Sequence, residues 1–432
     1  MSTEPTYRTI MPFNIQPVLE NEKVILYPLM ESDFEALYAV ASDPAIWEQH
    51  PNKGRWKKEV FREFFDGAIQ SKGAFKIVDK ATGNILGSTR FYEYNEADNS
   101  LFVGYTFFAT SCWGKGYNPS VKDTMLDYIF QFVSKVYLQV GKNNIRSQIA
   151  VGRLGAIQLM EKLVNSDASS TQDYMYVIHK DQWVDRRSLI NNISAIKDRI
   201  INACIANGRN PDAVQLLLAT KTVPAERISV LLRAGHTLIA ENRVQELKEK
   251  FDALKDIPHT NHFIGHLQTN KINDILKCQV ACLHSLDRIS LARQLHLRLE
   301  REQKTLQVLI QVNTSGEDSK FGVDPENAIE LVRQVTALKT LKIKGLMTIG
   351  LFSADSEKVR QCFRMLKNLQ QQIKDLNIPG VTMQELSMGM SGDLEIAIAE
   401  GATIVRVGTA IFGKRPTPDN FYWDEKNTSM ES

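Results

Sequence analysis

From residue 200 onward the chain repeats one unit eight times: a short apolar, β-prone run followed by an amphipathic stretch. The runs are LLLATK (216–221), HTLIAEN (236–242), HFIGHLQ (262–268), ACLHSLD (281–287), VLIQVN (308–313), IKGLMTIG (343–350), ELSMGMS (385–391) and TIVRVGTAIFG (403–413). Apolar runs of this length suit strands covered on both faces. The stretches between them, such as AERISVLLRAG and RVQELKEKFDAL, are helical in period. In the second, Val244, Leu247, Phe251 and Leu254 fall on one face. Eight strand–helix units in just over 200 residues predict a closed (β/α)8 barrel of the TIM type. An open doubly wound sheet is the alternative, and the regularity of eight units favours closure. SLINNISAIKDRIINACIAN (188–207) predicts a helix ahead of the first strand.

Barrel chemistry gathers where strands run out into loops. In chain order those ends offer Lys221; Glu241, Asn242 and Arg243; His266, Gln268 and Asn270; Ser285 and Asp287; Asn313 and Ser315; Met347 and Thr348; Ser387 to Gly392; and Arg406, Gly408 and Thr409. A lysine at the tip of a hydrophobic strand loses hydration, which eases access to its neutral amine. That suits imine chemistry, although a lysine snorkelling from a strand end has the same pattern. SMGMSGD (387–393) and RVGTAIFG bring small residues that let backbone N–H groups approach an anion. Gly389, Gly392 and Gly408 also fit plain tight turns. A lysine on strand one with a phosphate cradle after strands seven and eight points to pyridoxal 5′-phosphate. Lys221 would bond the aldehyde, and the phosphate would lie across the mouth on Ser387, Ser391, Gly408 and Thr409. Arg406 is placed for the pyridine ring or the phosphate.

ATKTVP, ENRVQELKEKF, HFIGHLQTNK, HSLDR, IKGLMTI, LSMGMSGDLEIAI and VRVGTAIFG resemble the pyridoxal phosphate homeostasis protein family over about residues 188–415. The resemblance implies a barrel like the N-terminal domain of alanine racemase and a Schiff base carried on Lys221. It also implies a role in handling vitamin B6 rather than a known turnover, with apo PLP enzymes as candidate partners. Asn242, Ser387, Arg406, Gly408 and Thr409 match the family's cofactor-contacting motifs. His266 stands where many members have proline and is given no role. The rival reading is a PLP-dependent racemase or lyase with a non-catalytic N-terminal module. Such racemases resemble two-domain proteins, and here a 17-residue tail, 416–432, follows the barrel. Binding and delivery are therefore expected over catalysis.

The first 185 residues have no βαβ rhythm. A strand, LFVGYTFF (101–108), precedes SCWGKGYNPSVKDTMLDYIFQFV, where Asn118 is expected to cap a helix and Pro119 to sit in its first turn. WGKGYN then presents backbone N–H groups at a helix start, a geometry for pyrophosphate. KVYLQVGK and NNIRSQIAVGRLGA follow as strand and helix. VGYTFF, WGKGYNPSVK and NIRSQIAVGRLGA resemble the GNAT superfamily of N-acetyltransferases, closest to its ribosomal-protein alanine acetyltransferase branch, over about residues 18–183. That resemblance implies a mixed α+β sheet splayed around acetyl-CoA, with the pyrophosphate on Gly114, Lys115, Gly116 and Asn118, and with Asn143 and Ser147 near the cofactor. The acceptor would be a protein N-terminus or a small amine. Ser111 replaces the usual Gln or Arg, and NSDASSTQD (165–173) replaces substrate-shaping residues. No catalytic base is assigned; Glu93 and Asp98 flank the central strands but suit solvated hairpin charges.

The formal net charge of +2 excludes a broad nucleic-acid surface. No apolar run approaches a membrane span, and MSTEPTYRTIMPFNIQP (1–17) is a polar N-terminal extension without a signal-peptide core. Five scattered cysteines predict reduced thiols and a cytoplasmic protein, with Cys278 and Cys282 as packing residues. His259, His262 and His266 are spaced for metal, but strand alternation sends them to different faces. KDQWVDRRSLI (180–190) reads as a short charged junction. The expectation is a fusion of an acetyltransferase-type domain with a PLP-binding barrel.

Overall fold

In the computed structural model the chain divides into two units, residues 1–185 and 186–432. The structure describes residues 13–159, 162–164, 171–317, 320–351 and 353–414. Most of the N-terminal extension and of the serine-rich 165–173 segment, and all of the 416–432 tail, lie outside the described residues.

The first unit is built on a nine-stranded sheet. Its strands are β1 (Leu19–Glu20), β2 (Val24–Pro28), β3 (Ala74–Asp79), β4 (Ile85–Asn95), β5 (Ser100–Phe108), β6 (Lys135–Gly141), β7 (Ile157–Gln158), β8 (Lys162–Val164) and β9 (Thr171–His179). Neighbours are antiparallel except β5 and β6, which run parallel. Helices α1 (Phe34–Ala41), α2 (Pro44–Trp47), α3 (Lys58–Gln70), α4 (Tyr117–Ile129) and α5 (Ile145–Arg153) flank it. Two apolar clusters hold the layers. Phe34, Leu37, Phe61 and Phe65 close with Trp47 and Phe107 in one. Val121, Met125, Leu126 and Ile129 of α4 close on Phe75, Ile77 and Val103 in the other. Each fully buried Leu, Ile or Phe contributes about 2 kcal/mol.

The helix expected over 188–207 begins earlier, as α6 (Lys180–Ala206), which takes in the segment read as a junction. The eight expected strands all form: β10 (Gln215–Ala219), β11 (Leu238–Glu241), β12 (Thr260–Phe263), β13 (Val280–Leu286), β14 (Leu306–Gln311), β15 (Leu341–Met347), β16 (Glu385–Ser387) and β17 (Ile404–Val407). They are parallel, and β10 pairs with β17, so the barrel closes. The first barrel helices, α7 (Ala225–Arg233) and α8 (Val244–Leu254), pack apolar faces outside. Inside, Leu217, Ala240 and Ile404 meet, as do Cys282, Leu309 and Met347. Cys278 packs in the outer core and Cys282 in this inner one, and all five cysteines are free and buried.

Candidate functional site

β10 ends at Ala219, and the chain turns through Thr220, Lys221 and Thr222. Lys221 is half-buried in this turn. Its neighbours are tied down on both sides. The Thr220 hydroxyl donates to Glu241 Oε1 at 2.6 Å, and the Thr222 amide donates to Glu246 Oε2 at 2.5 Å. Lys250 Nζ, from α8, reaches Thr220 O (2.9 Å), Glu241 Oε1 (2.7 Å) and Glu246 Oε2 (3.0 Å). Thr222 takes a φ of +63°, a left-handed conformation that a non-glycine residue holds only when its surroundings impose it. Burial pushes the Glu241 carboxyl up to about 6, against the pull of Lys250. Glu241 was expected in the ring at the barrel mouth. It turns instead to the helix layer, because Ala240 takes the inward position on β11 and alternation sends its neighbours out.

The barrel's interior carries a polar chain that sequence reasoning did not assemble. Arg406 on β17 is 4% exposed; its Nη1 donates to Ser387 Oγ (2.7 Å) and its Nη2 to Thr348 O (2.8 Å). Ser387 Oγ also lies 3.0 Å from His284 Nδ1, and His284 Nε2 lies 2.8 Å from His262 Nδ1. A guanidinium only donates, so the serine oxygen accepts from it and gives its own hydrogen to His284 Nδ1. His284 then carries its hydrogen on Nε2 and donates to His262 Nδ1, which leaves His262 protonated on Nε2. Burial lowers His262 to about 4 and His284 well below its usual value, with His262 and Arg406 adding to the latter shift. Burial also lowers Arg406 to about 10.

Two expectations are corrected here. Ser387 was expected on the phosphate, but its fully buried hydroxyl is committed to Arg406 and His284. The anion was expected across the mouth from Lys221. Closure makes β10 and β17 neighbours, and a Cβ on Gly408 would lie 2.8 Å from Ala219 O. Gly408 and Thr409 therefore stand beside the Lys221 turn. The three spaced histidines do not cluster, as strand alternation implied; His262 groups instead with Cys282 and His284, whose ligand atoms all lie within 4.8 Å of one another. Ser391 Oγ accepts the Ala410 amide at 3.3 Å, which ties the loop after β16 to the one after β17. Gly389 needs glycine, with φ +89° and Ala397 Cβ at 2.4 Å from a built Cβ, whereas Gly392 has open space. Asn242, past β11, keeps a buried Oδ1 without a partner.

In the first unit β5 and β6 pair from Ser100↔Lys135 to Phe102↔Tyr137 and then part. Against β4, Ser88 faces Phe107 and Arg90 faces Gly104, so β5 bulges at Tyr105–Thr106, with Tyr105 at φ +52°. The loop after β5 leads into α4, whose N-cap is Gly116 at φ +76° with no side-chain cap. Asn118 was expected to cap this helix; it lies inside the first turn, with its Oδ1 buried and unpartnered. Gly114 has φ +73° and open space around a built Cβ, so backbone conformation alone asks for glycine there. Lys115 is exposed, and its carbonyl accepts from Lys23 Nζ, which sits 4.6 Å over the Tyr117 ring. Asn143 is exposed. The cap of α5 is its neighbour Asn144, which accepts the Ser147 amide at 3.1 Å. Behind the β5 bulge, Lys122 is 6% exposed, with Nζ 2.6 Å from Thr106 Oγ1 and 3.4 Å from Thr89 Oγ1, and burial lowers it to about 7. Its place within the apolar V-K-x-x-M-L run was the signal available in sequence. Asp98 bonds Lys135 (2.5 Å) and Tyr137 (3.0 Å), a structural role, and Glu93 sits exposed at φ +51°.

The family model for the alanine racemase N-terminal domain matches residues 184–416, more than half of the chain. The chain belongs to the alanine racemase N-terminal domain family. A second model, the acetyltransferase (GNAT) domain, matches residues 23–157, so this member of the family carries a GNAT domain ahead of its barrel. The pyridoxal phosphate homeostasis protein of Aquifex aeolicus is 44% identical over 224 residues, which cover 52% of this chain and 96% of that one. Its Escherichia coli K12 counterpart is 37% identical over 230 residues, covering 52% and 97%. A crystal structure of an unknown protein from Bifidobacterium adolescentis is 39% identical, covers 53% of this chain and 96% of its own, and has a TM-score of 0.51. Among the described residues no helix is long and apolar enough to cross a membrane.

Proposed function

We propose that the alanine racemase-like barrel binds pyridoxal 5′-phosphate and holds it for vitamin B6 handling, with Lys221 as the amine that takes its aldehyde. The observation that carries this reading is barrel closure. It sets the Lys221 turn beside Gly408–Thr409, with Arg406 buried on the same strand. The residues present fit the group. Asn242 has a buried amide oxygen in want of a partner, and the two hydrogen bonds of Arg406 go to neutral oxygens; Asp393 acts on its charge only through space, which leaves the guanidinium able to meet an anion or a ring nitrogen. The names of the homeostasis relatives support the same cofactor. When bound, the group supplies an electron sink, which an arginine at the ring nitrogen weakens. The chain's own residues do the rest. Ser387 and Thr348 fix the guanidinium plane, and the Lys250 cluster fixes the turn. Apo enzymes that need the cofactor are the proposed recipients. After incubation with PLP and removal of excess, the full chain should retain visible absorbance that Lys221→Ala loses; a Lys221→Ala protein that keeps the same spectrum contradicts the reading.

For the first unit we propose acetyl-CoA-dependent N-acetylation. Gly114, Lys115, Gly116 and Asn118 take the pyrophosphate at the uncapped start of α4, and the acyl arm enters where β5 and β6 part. Asn143 and Ser147 line its far side. The start of a 13-residue helix with no side-chain cap supports an anion there. Calorimetry with acetyl-CoA should show one site per chain, weakened at least roughly tenfold by Gly116→Val; unchanged binding contradicts the loop assignment.

A further inference from the structure

Two arginines in the first unit have aromatic walls and no counter-charge. The guanidinium of Arg55 lies 4.5 Å from the Phe64 ring centroid and 5.7 Å from that of Trp47. Arg90, on β4, is 7% exposed, and its guanidinium lies 4.2 Å from the Tyr105 ring. Its Nη1 donates to Gly67 O (3.2 Å) and its Nη2 to Phe64 O (3.5 Å), while its Nε is buried and has no partner. Arg55 Nη1 lies 3.0 Å from His50 Nε2. Burial and Arg55 lower His50 to about 4, so the ring is neutral and brings Arg55 no negative charge. Among the described residues neither Arg55 nor Arg90 has a carboxylate within ion-pair distance, and none is among the groups that perturb their titration. Burial, with repulsion from Arg90 added, pushes Arg55 down to about 10. Holding unpaired cations out of water is costly, and an arriving anion relieves that cost.

The place of this cluster gives it a meaning. Tyr105 lies in the β5 bulge, three residues beyond the last β5–β6 pair, and it is 41% exposed. Through its ring the cationic group sits against the unpaired part of β5, the strand that bounds the wedge assigned above to the acyl arm. We propose that Arg55 and Arg90 bind an anionic group on the acetyl acceptor, which is a small primary amine bearing a carboxylate or phosphate rather than a polyamine. This rests on the acetyl-CoA reading of the first unit. In the transfer, the amine nitrogen bonds the thioester carbonyl carbon and the C–S bond breaks. Coenzyme A leaves as thiolate and takes up the proton that the amine loses, giving an N-acetyl amide and the free thiol. Tyr105 and Phe64 pack against the acceptor's carbon skeleton.

The test uses the full chain, acetyl-CoA and matched amines: L-phenylalanine against L-phenylalaninamide, glucosamine 6-phosphate against glucosamine, and spermidine. Thiol release should favour an anionic member over its neutral mate and over spermidine by at least roughly tenfold in kcat/KM. Whichever pair shows this separates a carboxylate from a phosphate. Arg55→Gln, at the less buried arginine, should raise KM for that acceptor at least roughly tenfold with acetyl-CoA affinity unchanged. Equal or better use of neutral mates or spermidine overturns the proposal, as does an unchanged KM in Arg55→Gln. So does acetyl-CoA binding with no anionic amine accepted. If acetyl-CoA itself fails to bind, the acetyltransferase reading falls separately. Calorimetry with the anionic amines alone then decides the cationic site: Arg55-dependent binding supports it, and none overturns it.

Discussion

Lys250 holds the turn that presents Lys221 without touching the barrel mouth. One ammonium bridges Glu241, Glu246 and the Thr220 carbonyl, and the carboxylates in turn hold Thr220 and Thr222. Removing that cation leaves two carboxylates facing each other in a buried space. Lys250→Met should therefore destabilise the barrel by about 3–5 kcal/mol and weaken PLP retention, both measurable by denaturant titration and absorbance. A stability within about 1 kcal/mol of wild type contradicts this assignment. Lys221 itself was legible in the sequence, because a lysine ending an apolar run is unusual enough to notice. Its support was not. In strands buried on both faces the hydrophobic pattern does not say which side a polar residue takes, so Glu241 read as a rim residue. The His262–His284–Ser387–Arg406 chain was hidden for a related reason. Its members come from four strands, and only closure brings them together.

At the scale of elements, the eight barrel strands were readable from punctuation alone. Each is a short β-prone run bounded by polar or turn residues. Helix starts were read less well, because local side-chain chemistry competes. Asn118 looked like a cap, but Gly116, free to take φ +76°, stops the loop two residues earlier. The cap of α5, Asn144, was not singled out in the sequence at all. Glycines that permit close backbone approach were also invisible. Gly345 on β15 is one: a Cβ there would lie 1.8 Å from the Glu385 carbonyl on β16. Gly345→Ala should force those strands apart and cost at least about 3 kcal/mol, read as a lowered denaturant midpoint of the barrel transition. A midpoint equal to wild type would show that the strands yield more easily than their register implies.

For the whole molecule, each unit closes its own hydrophobic core. Ligands should then act on them separately. Saturating PLP should stabilise the barrel and raise the temperature of its transition, and acetyl-CoA should do the same for the first unit, each stabilisation following RT ln(1 + [L]/Kd), about 2.7 kcal/mol at a hundredfold excess over Kd. Acid should strike the barrel through its buried histidines. His262 falls from 6.5 to about 4 on folding. As pH drops through that window the unfolded chain takes up a proton that the folded one refuses. Stability is lost between pH 6.5 and 4, by on the order of 3 kcal/mol, and levels off below. His284 acts in the same direction. Glu241, raised to about 6, opposes them in part, since its protonation favours the folded state as pH falls toward 4.5. His262→Gln should flatten the slope; a slope as steep as wild type places the acid sensitivity elsewhere. The fusion of two fold types was legible from motifs spread over both halves, whereas the anion site proposed for the acetyl acceptor was not, because Arg55 and Arg90 lie far apart in sequence and meet over the Phe64 ring only in the folded unit.

The proposed role of the barrel stands on Lys221 carrying the cofactor's aldehyde. Borohydride reduction of the full chain incubated with PLP, followed by peptide mass spectrometry, tests this directly. One phosphopyridoxyl group per chain is expected, on Lys221 and absent in Lys221→Ala; a label on another lysine, or none, contradicts the assignment.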